Sequence, residues 1–121
     1  VTISVLVIDD MLHNRQHFQK IFLQLGVYTL FAESGEEGLK ILEQRPVDAI
    51  FLDYNMNGMN GFEFIGACRT LENRLEIPIV MMSSDMAINA LSVQQGLAQA
   101  WIIKRATVPM VENVLKTIGI W

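Results

Sequence analysis

Cysteine is almost absent: Cys68 is the single one in 121 residues, so no internal disulfide can form and a reducing compartment is the default. Long apolar runs are missing as well. Uninterrupted stretches reach about four residues, against the ~20 that a helix needs to cross a bilayer. No basic head opens the chain, and Val1 to Asp10 ends in two acids, so no signal peptide is read there. Charge is scarce, at 18% of residues with a net value of −4, which argues against nonspecific nucleic-acid binding by this domain. Internal repeats, low-complexity tracts and linkers are lacking too. What is abundant is hydrophobic residues, at 51%, enough for a core and incompatible with disorder. The length suits one domain, residues 1–121. Because Val1 is not an initiator Met, the chain is read as processed or excised from something longer.

Two periods alternate along the chain. Short apolar runs occur at Val5–Ile8, Ala49–Leu52, Ile79–Met82 and Trp101–Ile103, with a mixed run at Tyr28–Ala32. Between them lie residues at helical spacing: Phe18, Ile21, Phe22 and Leu25; Leu39 and Leu42; Ile65, Cys68 and Leu71; Ile88 and Leu91; Val111, Val114, Leu115 and Ile118. Ser34 with Glu37 has capping-box spacing, and Thr107 before Val108-Pro109 marks a last helix start. Gly26 stops the first helix and Pro46 follows the second. The reading is five strands and five helices in strict alternation, an α/β protein with parallel strands and right-handed crossovers. The mixed second strand suits a sheet edge, and residues 71 to 77 form a polar connection.

The chemical signal lies at the carboxyl ends of the strands, where open parallel sheets place their ligands. Strand one ends in Asp9-Asp10, strand three in Asp53, strand four in Ser83-Ser84 and strand five in Lys104. Each alone has a bland explanation, such as a helix cap, a turn hydroxyl or a solvated charge. Together they bring three acids, a hydroxyl and an ammonium into one volume. Clustered carboxylates repel unless a cation neutralises them, and Mg²⁺ suits such hard oxygen ligands. An ionised carboxylate is also a nucleophile toward a phosphoryl group. Spacing leaves open which acid attacks; Asp53 is the better candidate because it stands alone, whereas Asp9 and Asp10 look like a metal pair.

These residues resemble the receiver domains of two-component response regulators, over a stretch from about Ser4 to Ile118. The resemblance rests on Val7-Ile8-Asp9-Asp10, on the loop from Asp53 through Met56 and Met59 to Gly61, on Met82-Ser83-Ser84 and on Ile103-Lys104. It implies a flavodoxin-like (CheY-like) doubly wound sheet of five parallel strands in the order 2-1-3-4-5. It implies that Asp53 accepts a phosphoryl group from a histidine kinase or histidine phosphotransfer protein. Asp10, Asp53 and the main-chain carbonyl of Asn55 would ligate Mg²⁺ (or Mn²⁺), with Asp9 acting through water. Ser83 would bind a phosphoryl oxygen, Lys104 would pair with the phosphate and lie near Asp53, and Ser83 with Trp101 would form the switch. Asn55 and Asp85 stand where side chains influence how water reaches the acyl phosphate.

The sequence departs from the family pattern at several places. Asn57 replaces a usual Pro, Ser83 a frequent Thr, Trp101 a Tyr or Phe, and Leu97 a frequent Gly. Arg105 replaces a proline that follows the lysine through a cis bond. A non-proline cis bond costs about 2.5–4 kcal/mol, so Lys104–Arg105 is expected to be trans. Rival readings fare worse. A dehalogenase-like phosphatase would want a second Asp at position 55, and a nucleotide or flavin site would want a glycine-rich cradle after strand one. The alternative that keeps weight is a pseudo-receiver acting as a phosphorylation-independent interaction module. His13 and His17 read as surface histidines, most methionines as packing, and Cys68 as a small core residue.

The expected protein is thus a cytoplasmic switch that turns over no external substrate. Its effector is a separate protein or a domain outside this chain, with no direct contact to nucleic acid or membrane. From Met86 to Ile103 no residue is charged, so the fourth helix, fifth strand and fifth helix are the expected partner face, for an effector or for a second copy. The bland alternative there is that Ile88, Leu91 and Ile102 all pack inward.

Overall fold

The computed structural model describes residues 2–71 and 76–121. Most of the polar connection expected between residues 71 and 77 lies outside the described residues. The elements run β1 (Ser4–Ile8), α1 (Leu12–Gln24), β2 (Tyr28–Ala32), α2 (Gly35–Gln44), β3 (Ala49–Asp53), α3 (Gly61–Cys68), β4 (Ile79–Met82), α4 (Met86–Gln94), β5 (Ala100–Trp101) and α5 (Val108–Thr117). All strand pairings are parallel and the sheet order is β2-β1-β3-β4-β5, as expected. Among the described residues, no helix is long and apolar enough to cross a membrane.

Strand side chains alternate between two cores, because successive residues point to opposite faces of the sheet. Val5, Val7, Phe51, Val80 and Met82 pack with Phe18 and Phe22 of α1 and Val111 and Leu115 of α5. Leu6, Ile8, Ile50, Leu52, Ile79 and Met81 pack with Leu42 of α2 and Phe64 and Ile65 of α3. Every residue of β1 from Val5 onward, and all of β3 and β4, is buried, which is why those strands read as continuous apolar runs. β2 sits on the sheet edge and is exposed or half-buried apart from Ala32.

The caps explain the helix boundaries. Ser34 Oγ accepts from Glu37 N, whereas Glu37 reaches back to Glu33 N at 3.5 Å, so the expected capping box is only half made. A complete box forms instead at Asn60 and Glu63, which opens α3 and which the sequence reading passed over. Thr107 caps α5, with Pro109 in its first turn, and Gly26 ends α1 at φ 72°.

One expectation needs correction. β5 comprises only Ala100 and Trp101, not Trp101–Ile103; Ile102 N still donates to Met81 O, after which the chain leaves the edge. Lys104 is therefore in the loop beyond β5 and not at the strand's end. In α4, Leu91 is 40% exposed, against the bland alternative that it packs inward, while Asn89 and Ser92 are fully buried. Helical spacing located this helix but not its inward face.

Candidate functional site

Strand register brings the acids together. Ile8 pairs with Leu52, so the residues that follow, Asp9 and Asp53, emerge side by side from adjacent strands. Asp53 pairs with Met82, which places Ser83 one step beyond the end of β4. Lys104 comes from beyond β5, two strands from β3. Its long side chain crosses that gap, so that Nζ lies 3.0 Å from Asp53 Oδ1 and 3.7 Å from Asp9 Oδ2. The Lys104–Arg105 peptide bond is trans.

Burial sets the electrostatics. Asp9 and Asp53 are at most 2% exposed, and Asp10 is half-buried. The Asp53 carboxyl is pushed up from 3.8 to about 6. Removal from water is the largest cause, and the negative charge of Asp9 is next. The Lys104 ammonium pulls the other way and only partly offsets them, while Asp10 adds a smaller upward push.

Asp9 Oδ2 and Asp53 Oδ2 are buried without a hydrogen-bond partner among the described residues. One oxygen from each of Asp9, Asp10 and Asp53 lies within 4.8 Å of the others. Orphaned buried carboxylate oxygens are costly, and a hard divalent cation is the group that such a donor set satisfies. The residues fit Mg²⁺ or Mn²⁺.

Of the other expected residues, Ser83 is buried and its Oγ accepts from Asp85 N at 3.0 Å, which leaves the hydroxyl proton available. The Asp85 side chain is engaged as the α4 cap, accepting from Ala87 N. Asn55 lies two residues beyond β3 with its side chain exposed. Trp101 is 40% exposed and lines a surface depression of about 290 Å³ with Ile103 and Met110. Ser83, Ser84 and Lys104 also line an open depression of about 560 Å³ with His13, His17 and Arg105.

Three contributors escaped the sequence reading. Arg15 Nη1 donates to the Asp9 carbonyl at 2.7 Å, and Nη2 lies 3.3 Å from Glu33, pinning the β1–α1 turn. His17, an exposed histidine as expected, has Nε2 2.7 Å from the Ala106 carbonyl. A carbonyl can only accept, so Nε2 carries the proton and holds the loop that bears Lys104. Asn89 binds the Ser83 main chain. None of these bonds has a signal in local spacing.

Gly61 keeps the loop after β3 close to α3. Its N donates to Tyr54 O at 2.9 Å, and a Cβ there would sit 3.0 Å from Tyr54 Cα and 3.1 Å from Asp53 O. Those are backbone atoms and cannot swing aside. Gly61→Ala is therefore expected to cost about 1–3 kcal/mol in urea unfolding, and a change below about 0.5 kcal/mol would contradict this packing.

Comparison with known proteins bears on the family and the fold. The family model for the response regulator receiver domain matches residues 5–115. The probable chemotaxis protein CheY of Rhizobium etli is 30% identical over 94% of this chain and 95% of its own length. The autoinducer 1 sensor kinase/phosphatase LuxN of Vibrio campbellii is 31% identical over 93% of this chain, which spans only 13% of that protein. Among solved structures, chemotaxis response regulator CheY4 of Vibrio cholerae is 25% identical, with a TM-score of 0.87 over 98% of this chain and 99% of that one. The response regulator TrrA of Thermotoga maritima, solved in complex with Mg²⁺ and BeF, shares the fold at 22% identity, with a TM-score of 0.84 over 97% of this chain and 99% of that one.

Proposed function

The chain belongs to the response regulator receiver domain family of two-component systems, and from that membership we propose that it is a phosphorylation switch whose acceptor is Asp53. The observation that carries the reading is the buried Asp9–Asp53 pair, each with an orphaned Oδ2, facing a lysine 3.0 Å from Asp53. Burying two carboxylates side by side costs stability that no packing role requires. A site that takes up a cation and then a phosphoryl group explains the arrangement.

Asp53 is ionised at neutral pH, since its carboxyl titrates near 6. One of its oxygens attacks phosphorus. The bond from phosphorus to the donor's imidazole nitrogen breaks, and the electron pair leaves with the imidazole. Asp10, Asp53 and the Asn55 carbonyl would hold Mg²⁺ or Mn²⁺, with Asp9 acting through water; bound there, the cation neutralises acids and developing phosphoryl charge. Lys104 releases part of its hold on Asp53 and pairs with a phosphoryl oxygen, and the free Ser83 hydroxyl proton is donated to another. The phosphodonor is a histidine kinase or histidine phosphotransfer protein, and the protein acts in the cytoplasm. No external substrate is turned over.

The output face is formed by α4, β5 and α5, where Met86, Leu91, Trp101, Ile103 and Met110 are all at least 36% exposed. An effector protein or a second copy of the domain binds there, and nucleic acid and membrane do not. Inward movement of Ser83 opens space for Trp101. In a Trp121→Phe background, Trp101 emission is expected to move to shorter wavelength when beryllofluoride and Mg²⁺ are added. An unchanged spectrum with the mimic bound would remove Trp101 from the switch.

The function itself is tested by incubation with acetyl phosphate and Mg²⁺ followed by intact mass. Wild type is expected to gain one phosphoryl group, and Asp53→Asn or EDTA to abolish the gain. A wild type that stays unmodified while a known receiver is labelled would favour a phosphorylation-independent interaction module.

A further inference from the structure

Helix α4 sits on the protein in an unusual way. Its fully buried residues are Asn89 and Ser92, both at 0% exposure, while Met86, Leu91 and Val93 are exposed by 47%, 40% and 37%. A buried amide costs free energy unless its hydrogen bonds are made, so Asn89 has to be satisfied by particular partners. Its Oδ1 accepts from Ser83 N at 2.8 Å and its Nδ2 donates to Ser83 O at 2.9 Å. Ser83 N can only donate and Ser83 O can only accept, so the orientation of the amide follows from its partners. Ser92 Oγ donates to the Asn89 carbonyl at 2.7 Å and fastens the same turn.

One side chain thus takes both main-chain groups of Ser83, which directly follows Met82, the β4 partner of Asp53. Capping does not explain it, because Asp85 already caps α4 through Ala87 N. Nor does the Ser83 hydroxyl need Asn89, since Ser83 Oγ accepts from Asp85 N. What the pair accomplishes is mechanical. Ser83 cannot shift along or across β4 without carrying Asn89, and Asn89 carries the middle of α4.

We propose that Asn89 is a positioning residue that holds Ser83 for the phosphoryl group and makes α4 move with it. The proposal rests on Asp53 being the phosphoacceptor. A phosphoryl oxygen draws the Ser83 hydroxyl toward Asp53, the Ser83 peptide groups draw the Asn89 amide, and α4 follows. Its exposed apolar residues, Met86 and Leu91, are displaced in consequence. The coupling is polar and directional, so it fails when the amide is removed even if the helix remains folded.

The test compares wild type, Ser83→Ala, Asn89→Ala and the double variant, with beryllofluoride and Mg²⁺ as the probe. Each single variant is expected to bind the mimic about tenfold more weakly, the effect of one lost hydrogen bond to a charged group. The double variant should lose little more than either, because Asn89 acts through the Ser83 hydroxyl. Losses that multiply in the double variant, or mimic binding by Asn89→Ala equal to wild type, would overturn the proposal.

A second measurement uses the wild type alone, so it does not depend on the variants folding. On titration with mimic, NMR signals of the Ser83 amide, the Asn89 side-chain amide and the α4 amides should move together. Movement of Ser83 with α4 unchanged would overturn the coupling. A wild type that binds no mimic and takes no phosphoryl group would instead overturn the phosphoacceptor reading beneath it.

Discussion

Lys104→Met is expected to destabilise the metal-free protein by about 2–4 kcal/mol near pH 8, the effect of removing one partner from a buried ion pair. Lys104 Nζ is 3.0 Å from Asp53 and 3.7 Å from Asp9, and those acids are buried while the lysine side chain is 22% exposed. Methionine keeps most of the apolar stem and removes only the charge. Two buried carboxylates then face each other with no cation between them. Asp53 escapes part of the cost by holding its proton to higher pH than in wild type. The folded variant thus binds a proton that the unfolded chain has released, and stability falls as pH rises through that range. Urea unfolding from pH 5 to 8 in EDTA should show a loss that grows with pH and that millimolar Mg²⁺ largely restores. A loss independent of both pH and Mg²⁺ would mean that Lys104 acts through packing and not through its charge.

Asp53→Asn should act in the opposite direction. The Asp53 carboxyl titrates near 6 in the folded protein against an ordinary 3.8. Between those values the folded state holds a proton that the unfolded chain has lost, so this group's contribution to stability falls as pH rises and is constant above about 6. The full difference corresponds to about 3 kcal/mol at neutral pH. Asparagine removes that penalty but also removes the partner at 3.0 Å from Lys104, which keeps only Asp9 at 3.7 Å. A net gain of about 2 kcal/mol over wild type is expected at pH 7.5 in EDTA, shrinking toward zero near pH 4. Added Mg²⁺ should stabilise wild type more than the variant and close the gap. An Asp53→Asn protein less stable than wild type at pH 7.5 would show that Lys104 offsets more of the penalty than burial and Asp9 impose.

The acids were legible because each follows a continuous apolar strand, and a parallel sheet collects such strand ends by topology. The Asp53–Gly61 loop was legible too, since its pattern repeats a family's residues at fixed offsets. The length of β5 was not. Ile102 and Ile103 are as apolar as Trp101, and only the geometry of the sheet edge says where pairing stops. The inward face of α4 was also hidden: Ile88 and Leu91 suggested an aliphatic stripe, whereas the buried positions went to Asn89 and Ser92.

The sequence by itself therefore determined the alternation of elements, the parallel sheet, the edge placement of β2 and the residues at the strand ends. These follow from periods of 2 and 3.6 residues and from capping and stop residues, all of which act over a few neighbours. Tertiary structure alone decided the partners across the fold. Arg15 reaches the Asp9 carbonyl, His17 the Ala106 carbonyl 89 positions away, and Lys104 the carboxylates of two other strands. A hydrogen bond depends on distance and angle in space, and a pKa depends on burial and neighbouring charge. Neither is a property of the order of residues until the chain has folded.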